Sequence, residues 1–177
     1  MMSSTTGAVL SDTNYAVIYD LHSHTTASDG RLTPEELVHR AGEMRVGTLA
    51  ITDHDTVDAI PRAQAEIARA GLALELITGV EISTLWENHE IHIVGLNIDI
   101  ENPTLTAFLS AQIDRRQQRG QMIAERLEKA QIPGAWEAAL KMAEGGAVTR
   151  GHFARFLVEQ GKASNIGDVF KRYLARG

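Results

Sequence analysis

Two histidines two residues apart, His22 and His24, stand in the run Asp20-Leu21-His22-Ser23-His24-Thr25-Thr26-Ala27-Ser28-Asp29-Gly30. If that run closes a β-strand, residues two apart leave the same face, and the imidazoles can converge on one ion or on two adjacent ions. Asp29 follows in a glycine-bounded loop that can fold its carboxylate back to the same place. Taken alone, the pair also reads as two surface or capping histidines. Three more segments weigh against that: Thr52-Asp53-His54-Asp55, Gly79-Val80-Glu81 and the stretch holding His92 each set imidazole or carboxylate at or near a predicted strand end. A donor set of nitrogen and oxygen suits manganese, iron or zinc, and magnesium less well because that ion favours oxygen and water. Two or three such ions lower the pKa of a water, orient it and neutralise charge on phosphorus, so phosphoester hydrolysis is the natural use.

The elements that must position these groups follow from periodicity. Residues 16–21, 47–52, 72–78 and 90–97 are short, apolar or β-branched, and read as strands. Between the first two, Thr33-Pro34-Glu35-Glu36 combines a cap residue, a proline at the first helical position and a glutamate three after the cap, predicting a helix to about Met44. Asp58 is the expected cap of a second helix that ends at Ala70, with Gly71 supplying the left-handed stop. Strands and helices that alternate in this way predict parallel pairing with right-handed crossovers. In parallel α/β sheets the C-terminal strand ends collect at one face, which is where the candidate ligands converge. From Asn102-Pro103 the spacing of Leu105, Phe108, Leu109, Ile113, Ile123 and Leu127 becomes helical, with further helices starting near Pro133, Thr149 and Ser164.

With no cysteine, thiolate metal sites, disulfides and cysteine nucleophiles are excluded. A net charge of -6 argues against nonspecific coating of nucleic acid, which needs a basic face. Neither a charged-then-apolar leader nor an apolar run near membrane-spanning length occurs, so a cytoplasmic protein without membrane contact is the expectation. No stable protein partner is inferred. Arg150 and His152 open the helix capped by Thr149, where amides and a guanidinium can hold a substrate phosphate; a solvated arginine is the alternative. His39, inside an amphipathic helix, and His89, three residues before His92, are left out of the ligand set.

Together, Asp20-Leu21-His22-Ser23-His24 with Ser28-Asp29-Gly30, Ile51-Thr52-Asp53-His54-Asp55, Gly79-Val80-Glu81-Ile82-Ser83 and Ile91-His92-Ile93-Val94-Gly95-Leu96 resemble the first motifs of the polymerase-and-histidinol-phosphatase (PHP) family of metal-dependent phosphoesterases. The helical segment, including Val148-Thr149-Arg150-Gly151-His152-Phe153, is similar to the insertion of one branch of that family. The resemblance implies a manganese enzyme, with two or three ions in the complete site. That enzyme removes the 3′-phosphate of nucleoside 3′,5′-bisphosphates and trims RNA 5′ ends in the 5′-to-3′ direction, including ribosomal RNA precursors. It implies His22, His24, Asp29, His54, Glu81 and His92 as ligands, catalytic parts for Asp53 and Asp55 behind those ligands or in moving protons, and Arg150 and His152 facing substrate phosphates.

The fold class expected is α/β: a tail over 1–14, the N-terminal part of a distorted TIM-like (β/α)7 barrel over 15–102, and a helical insertion subdomain over 103–177. The family places a further histidine and an aspartate-histidine pair after the insertion, so the 177 residues are expected to be a truncated part of a longer enzyme. Two alternatives stay open: a noncatalytic metal-binding module, and a phosphatase for another small phosphomonoester such as histidinol phosphate.

Overall fold

Thr33 opens the first helix through a reciprocal pair of bonds. In the computed structural model, which describes residues 17–87 and 89–174, the Glu36 amide donates to the Thr33 hydroxyl at 3.2 Å. The Thr33 amide donates to the Glu36 carboxylate at 2.9 Å. With Pro34 in the first turn, this closes α1, Pro34–Glu43. Helix α2, Ala59–Ala70, ends as predicted on Gly71 at φ 62°, a conformation that a Cβ would strain. Its start differs from expectation. Asp58 already has helical backbone angles and makes no side-chain cap; its amide donates instead to the Thr56 hydroxyl at 3.2 Å.

The sheet runs in the order β1 (Ile18–Ser23), β2 (Val46–Ile51), β3 (Glu75–Trp86), β4 (His89–Leu96). β1, β2 and β3 pair in parallel, each crossing over through one helix. The fourth strand corrects the all-parallel expectation, because β3 and β4 are antiparallel. Only residues 87 and 88 separate them, and a parallel return needs about a dozen residues, so the chain forms a hairpin, with Glu87 at φ 53°. β3 also runs eight residues beyond its expected end at Thr78: its first part pairs with β2, and from Gly79 onward it pairs with β4. Glu81 therefore lies within a strand. The 1–14 segment expected as a tail lies outside the described residues.

Helices α1 and α2 cover one face of this sheet through Val38, Ala41, Ile60 and Ala63 against Leu49 and Ile51, all buried. The helical part has a core of its own. Asn102 caps α3, Pro103–Lys129, by accepting from the Thr104 and Leu105 amides. α4 (Ala135–Ala143), α5 (Arg150–Glu159) and α6 (Ile166–Val169, passing into a π-helical turn over Phe170–Leu174) pack around Phe153, Leu157, Ala139 and Leu127. No helix among the described residues is long and apolar enough to cross a membrane.

Because Phe153 is fully buried at the centre of this second core, Phe153→Ala is expected to cost about 3–5 kcal/mol. Urea unfolding of the two proteins measures it; a loss under about 1 kcal/mol would mean that the helical layer is not packed as described.

Candidate metal centre

The parity of β1 places His22 and His24 on one side. Between them, Ser23 turns the other way and donates from its hydroxyl to the Ala50 carbonyl at 2.7 Å. The chain after His24 is then tied down by Asp53, a fully buried carboxylate at the end of β2. Asp53 accepts from the Thr25 amide (2.7 Å), the Thr25 hydroxyl (2.6 Å) and the Ser28 hydroxyl (2.5 Å). Gly30 completes the tight loop: a Cβ there would lie 2.2 Å from the His24 carbonyl oxygen, so only glycine permits the approach. The loop returns Asp29 to the histidines, with Oδ1 3.1 Å from His24 Nδ1.

Beyond β2 the chain keeps pairing with β3 through a bridge between His54 and Glu81. Glu81 is buried, and its carboxylate is the meeting point. Oε2 lies 2.9 Å from both His22 Nε2 and His24 Nε2 and 3.7 Å from His54 Nδ1, while Oε1 lies 2.7 Å from His92 Nδ1. In the β3–β4 register Glu81 faces Val94 and Ser83 faces His92, so Glu81 and His92 are diagonal neighbours on one face, within reach of long side chains. His54 Nε2 lies 3.5 Å from Asp29 Oδ2.

These atoms form three overlapping groups: His22, His24 and Glu81; His24, Asp29 and His54; His54, Glu81 and His92. Within each, the candidate ligand atoms lie within 4.8 Å of one another. Donors bound about 2.0–2.2 Å from one cation stand roughly 3–3.6 Å apart, and the contacts here, from 2.7 to 3.7 Å, bracket that spacing. Two observations show that hydrogen bonding alone does not satisfy the cluster. His54 Nδ1 is buried without a hydrogen-bond partner, and the His22 and His24 Nε2 atoms face each other at 3.1 Å while both point at one carboxylate oxygen. The residues therefore fit a divalent cation.

The electrostatics are those of a cluster short of positive charge. Burial acts to raise the Asp29 carboxyl, but the His24 hydrogen bond, His54 and Thr149 hold it well below the usual carboxylate range. Burial also opposes ionisation of Glu81, and His22, His54 and His92 outweigh it, leaving that carboxyl lowered. Burial lowers His24, and Asp29 and Glu81 reverse the direction. At His54 burial prevails, assisted by the Arg116 and His24 charges, and the imidazole is pushed down to about 4. A neutral imidazole beside ionised carboxylates is the protonation state that ligation needs.

The helical part closes the other side. Thr149 caps α5 and also donates from its hydroxyl to Asp29 Oδ2 at 3.1 Å; Arg155 donates to the Asp29 carbonyl at 2.8 Å. Between the layers lies a cleft of about 380 Å³, lined by Asp29, His54, Glu90 and His92 and by Arg31, Arg116, Arg150 and Arg155. Four arginines on one cleft of an acidic chain suit an anionic ligand.

The six candidate ligands come together in one cluster, Asp53 and Asp55 lie buried beside it, and Arg150 and His152 part company. Arg150 is on the cleft wall, ion-paired with Glu90. His152 is fully buried behind it. Its Nδ1 accepts from the Thr149 amide at 3.0 Å, its Nε2 makes no hydrogen bond, and burial with Arg155 nearby pushes it down to about 4. In this structure it caps the helix and does not line the cleft. Asp53 and Asp55 are likewise locked from the cleft. Asp55, at φ 55°, accepts from the Ser83 amide (2.9 Å) and from Arg116 Nε (2.5 Å). Both carboxylates hold their neighbouring ligands in place. His39 pairs with Glu66 at 2.6 Å between α1 and α2, apart from the cluster. Thr25, Arg116 and Arg155 were not anticipated, Ser28 was read only as part of a motif and Thr149 only as a helix cap; short hydroxyl residues and helix arginines carry no spacing signal for such contacts.

Four imidazoles and two carboxylates gathered at one end of a mixed α/β sheet define a class, that of α/β proteins built around a divalent-metal centre. Within it, the chain belongs to the PHP domain family, whose model matches residues 20–176. It is similar to a 5′-3′ exoribonuclease, Rnm, of Salmonella typhimurium, 78% identical over 97% of this chain and 58% of that protein. A 3′,5′-nucleoside bisphosphate phosphatase of Chromobacterium violaceum is 39% identical over 89% of this chain and 55% of its own length. Among solved structures, an amidohydrolase from Chromobacterium violaceum with bound sulfate and no metal superposes with a TM-score of 0.82 at 39% identity, over 88% of this chain and 55% of that one. The chain thus spans little more than half the length of these relatives.

Replacing Asp53 by Asn removes the charge on which Thr25 and Ser28 converge, and is expected to weaken divalent-cation affinity about 10–100-fold, as loss of a group that orients ligands does. Calorimetric titration with manganese, and separately with zinc, measures it; equal affinity in the variant would remove Asp53 from the positioning scheme.

Proposed function

We propose that this chain carries the metal-ligand and phosphate-binding part of a divalent-cation-dependent phosphoesterase acting on nucleotides. The reaction is removal of the 3′-phosphate from nucleoside 3′,5′-bisphosphates, together with 5′-to-3′ trimming of RNA ends, including ribosomal RNA precursors. The observation that carries this reading is one cleft shared by a histidine–carboxylate cluster and four arginines. The names of the Salmonella and Chromobacterium relatives support the choice of nucleotide substrates, and sulfate, which the Chromobacterium structure binds, is a tetrahedral oxyanion like the phosphoryl group.

In this reading His22, His24, Asp29, His54, Glu81 and His92 hold cations, two or three in the complete site; the mixed donor set suits manganese, iron or zinc, and the family resemblance favours manganese. A bound divalent cation supplies charge neutralisation at phosphorus and acidifies a water beside it. The chain's own residues do the rest. Asp53 and Asp55 fix the ligand loops, Thr149 and Arg155 fix Asp29, and Arg150 exchanges its Glu90 partner for a substrate phosphate. Nucleotide and RNA substrates support a cytoplasmic setting for the work.

Phosphate release from adenosine 3′,5′-bisphosphate in manganese buffer tests this, beside histidinol phosphate, a 5′-phosphorylated RNA and the Salmonella relative. Release from the bisphosphate is expected to exceed that from histidinol phosphate, and His24→Ala is expected to lose at least the roughly 10–100-fold that even outer partners of a metal site are worth. Intact release by His24→Ala would overturn the ligand assignment. No release by this chain beside full release by the relative would reduce it to a noncatalytic metal-binding module.

A further inference from the structure

We propose that the link between α4 and α5 is a clamp on the loop after β1, and that Gly146 is the positioning residue through which this clamp sets the reach of Asp29 into the cluster. The inference rests on the cluster holding a cation and on no step of ester hydrolysis. The Asp29 loop is tied on its inner side by Asp53, through Thr25 and Ser28. Its outer side meets the helical part, and there the contact is backbone on backbone. The Ala147 amide donates to the Ala27 carbonyl at 2.8 Å. A Cβ at Gly146 would lie 2.5 Å from the Thr26 carbonyl oxygen and 2.7 Å from that of Ala27, nearer than a side-chain carbon packs. Gly146 is not in the left-handed region, so the approach itself is what demands glycine there.

Three features separate this seat from ordinary packing between layers. Asp29 is the candidate ligand that no strand ladder fixes, because it lies in a loop, five residues after His24, whereas Glu81 and His92 lie in β3 and β4 and His54 in a bridge to Glu81. The groups that Gly146 would press on are main-chain carbonyls. A side chain could swing aside, but a carbonyl can yield only if the loop moves and carries Asp29 with it, and a ligand group has to be held within about 0.5 Å of its working place. The same helical end also grips Asp29 directly, since Thr149 bonds its carboxylate and Arg155 its carbonyl. Lifting the link away from Ala27 therefore loosens those bonds together. By linkage, a clamp that improves cation affinity is tightened by the cation in the same proportion.

The test compares two neighbouring glycines by calorimetric titration of the 177-residue chain with zinc. In Gly146→Ala the zinc Kd is expected to rise roughly 10-fold or more, as on loss of a group that orients a ligand. Gly145→Ala is the control: Gly145 has φ 89° and open space around its Cβ position, so the change strains the same link without touching the loop. That variant is expected to melt at a lower temperature and to keep the parent Kd. A second measurement needs no substitution. Zinc is expected to slow hydrogen exchange of the Ala147 amide roughly 10-fold, while the Ile132 amide, bonded to the Leu127 carbonyl in the link between α3 and α4, keeps its rate. Should Gly146→Ala fail to fold, this exchange decides. An unchanged Kd in Gly146→Ala, an equal loss in Gly145→Ala, or Ala147 exchange that ignores zinc or slows only in step with Ile132 would each overturn the clamp and leave the metal centre standing. Absence of zinc binding by the parent chain would sink the metal-centre reading and the clamp with it.

Discussion

The buried carboxylate of Glu81 sets the terms for the rest of the molecule. An ionised group taken out of water is tolerated only where positive charge or donors surround it, and Glu81 has four imidazoles directed at it from two strand ends and a hairpin partner. The imidazoles are in turn short of partners, as the unsatisfied His54 Nδ1 records. Cation-holding chemistry and fold stability are thus one problem here. The residues that make the centre able to hold an ion also leave it under-compensated when it holds none.

Much of this was legible in the sequence because it depends on short-range geometry. The alternation of a strand puts His22 and His24 on one side whatever else happens, Thr33, Glu36 and Gly71 act through bonds to residues three or four positions away, and Pro34 acts through its own fixed φ. What stayed hidden depends on distant partners. His152 sits in the same motif as Arg150, yet one faces the cleft and the other packs beneath it, a difference set by where α5 lies against the loop after β1. Arg116 reads in sequence as one more charge on a long helix, and only the placement of α3 over Asp55 and Ser83 makes it internal. The β3–β4 reversal was misread because alternating strands and helices suggested a parallel rule that a two-residue link cannot obey.

The chain thus has two cores and one shared seam. The sheet with α1 and α2 presents the ligands, while the helical part buries its own apolar residues around Phe153 and sends polar groups across: Thr149 and Arg155 to Asp29, Arg116 and Gln112 to Asp55 and Ser83. Every one of those crossing contacts ends on a ligand residue or within two positions of one. The helical layer therefore does more than cover the sheet, because it determines how rigidly Asp29, His54 and Glu81 are held.

The hairpin between β3 and β4 carries a consequence for how such a chain can vary over time. Glu81 and His92 meet because they are diagonal in one register, and a slip of a single residue would turn every β4 side chain to the opposite face. Lineages are free to lengthen or shorten the links between the helices, where no ligand's facing depends on a count. The two-residue link between β3 and β4 has no such freedom: a one-residue insertion or deletion there must be absorbed locally as a bulge or it removes His92 from the cluster. Length at that turn is a more telling marker of a working centre than the identity of the residues that form it.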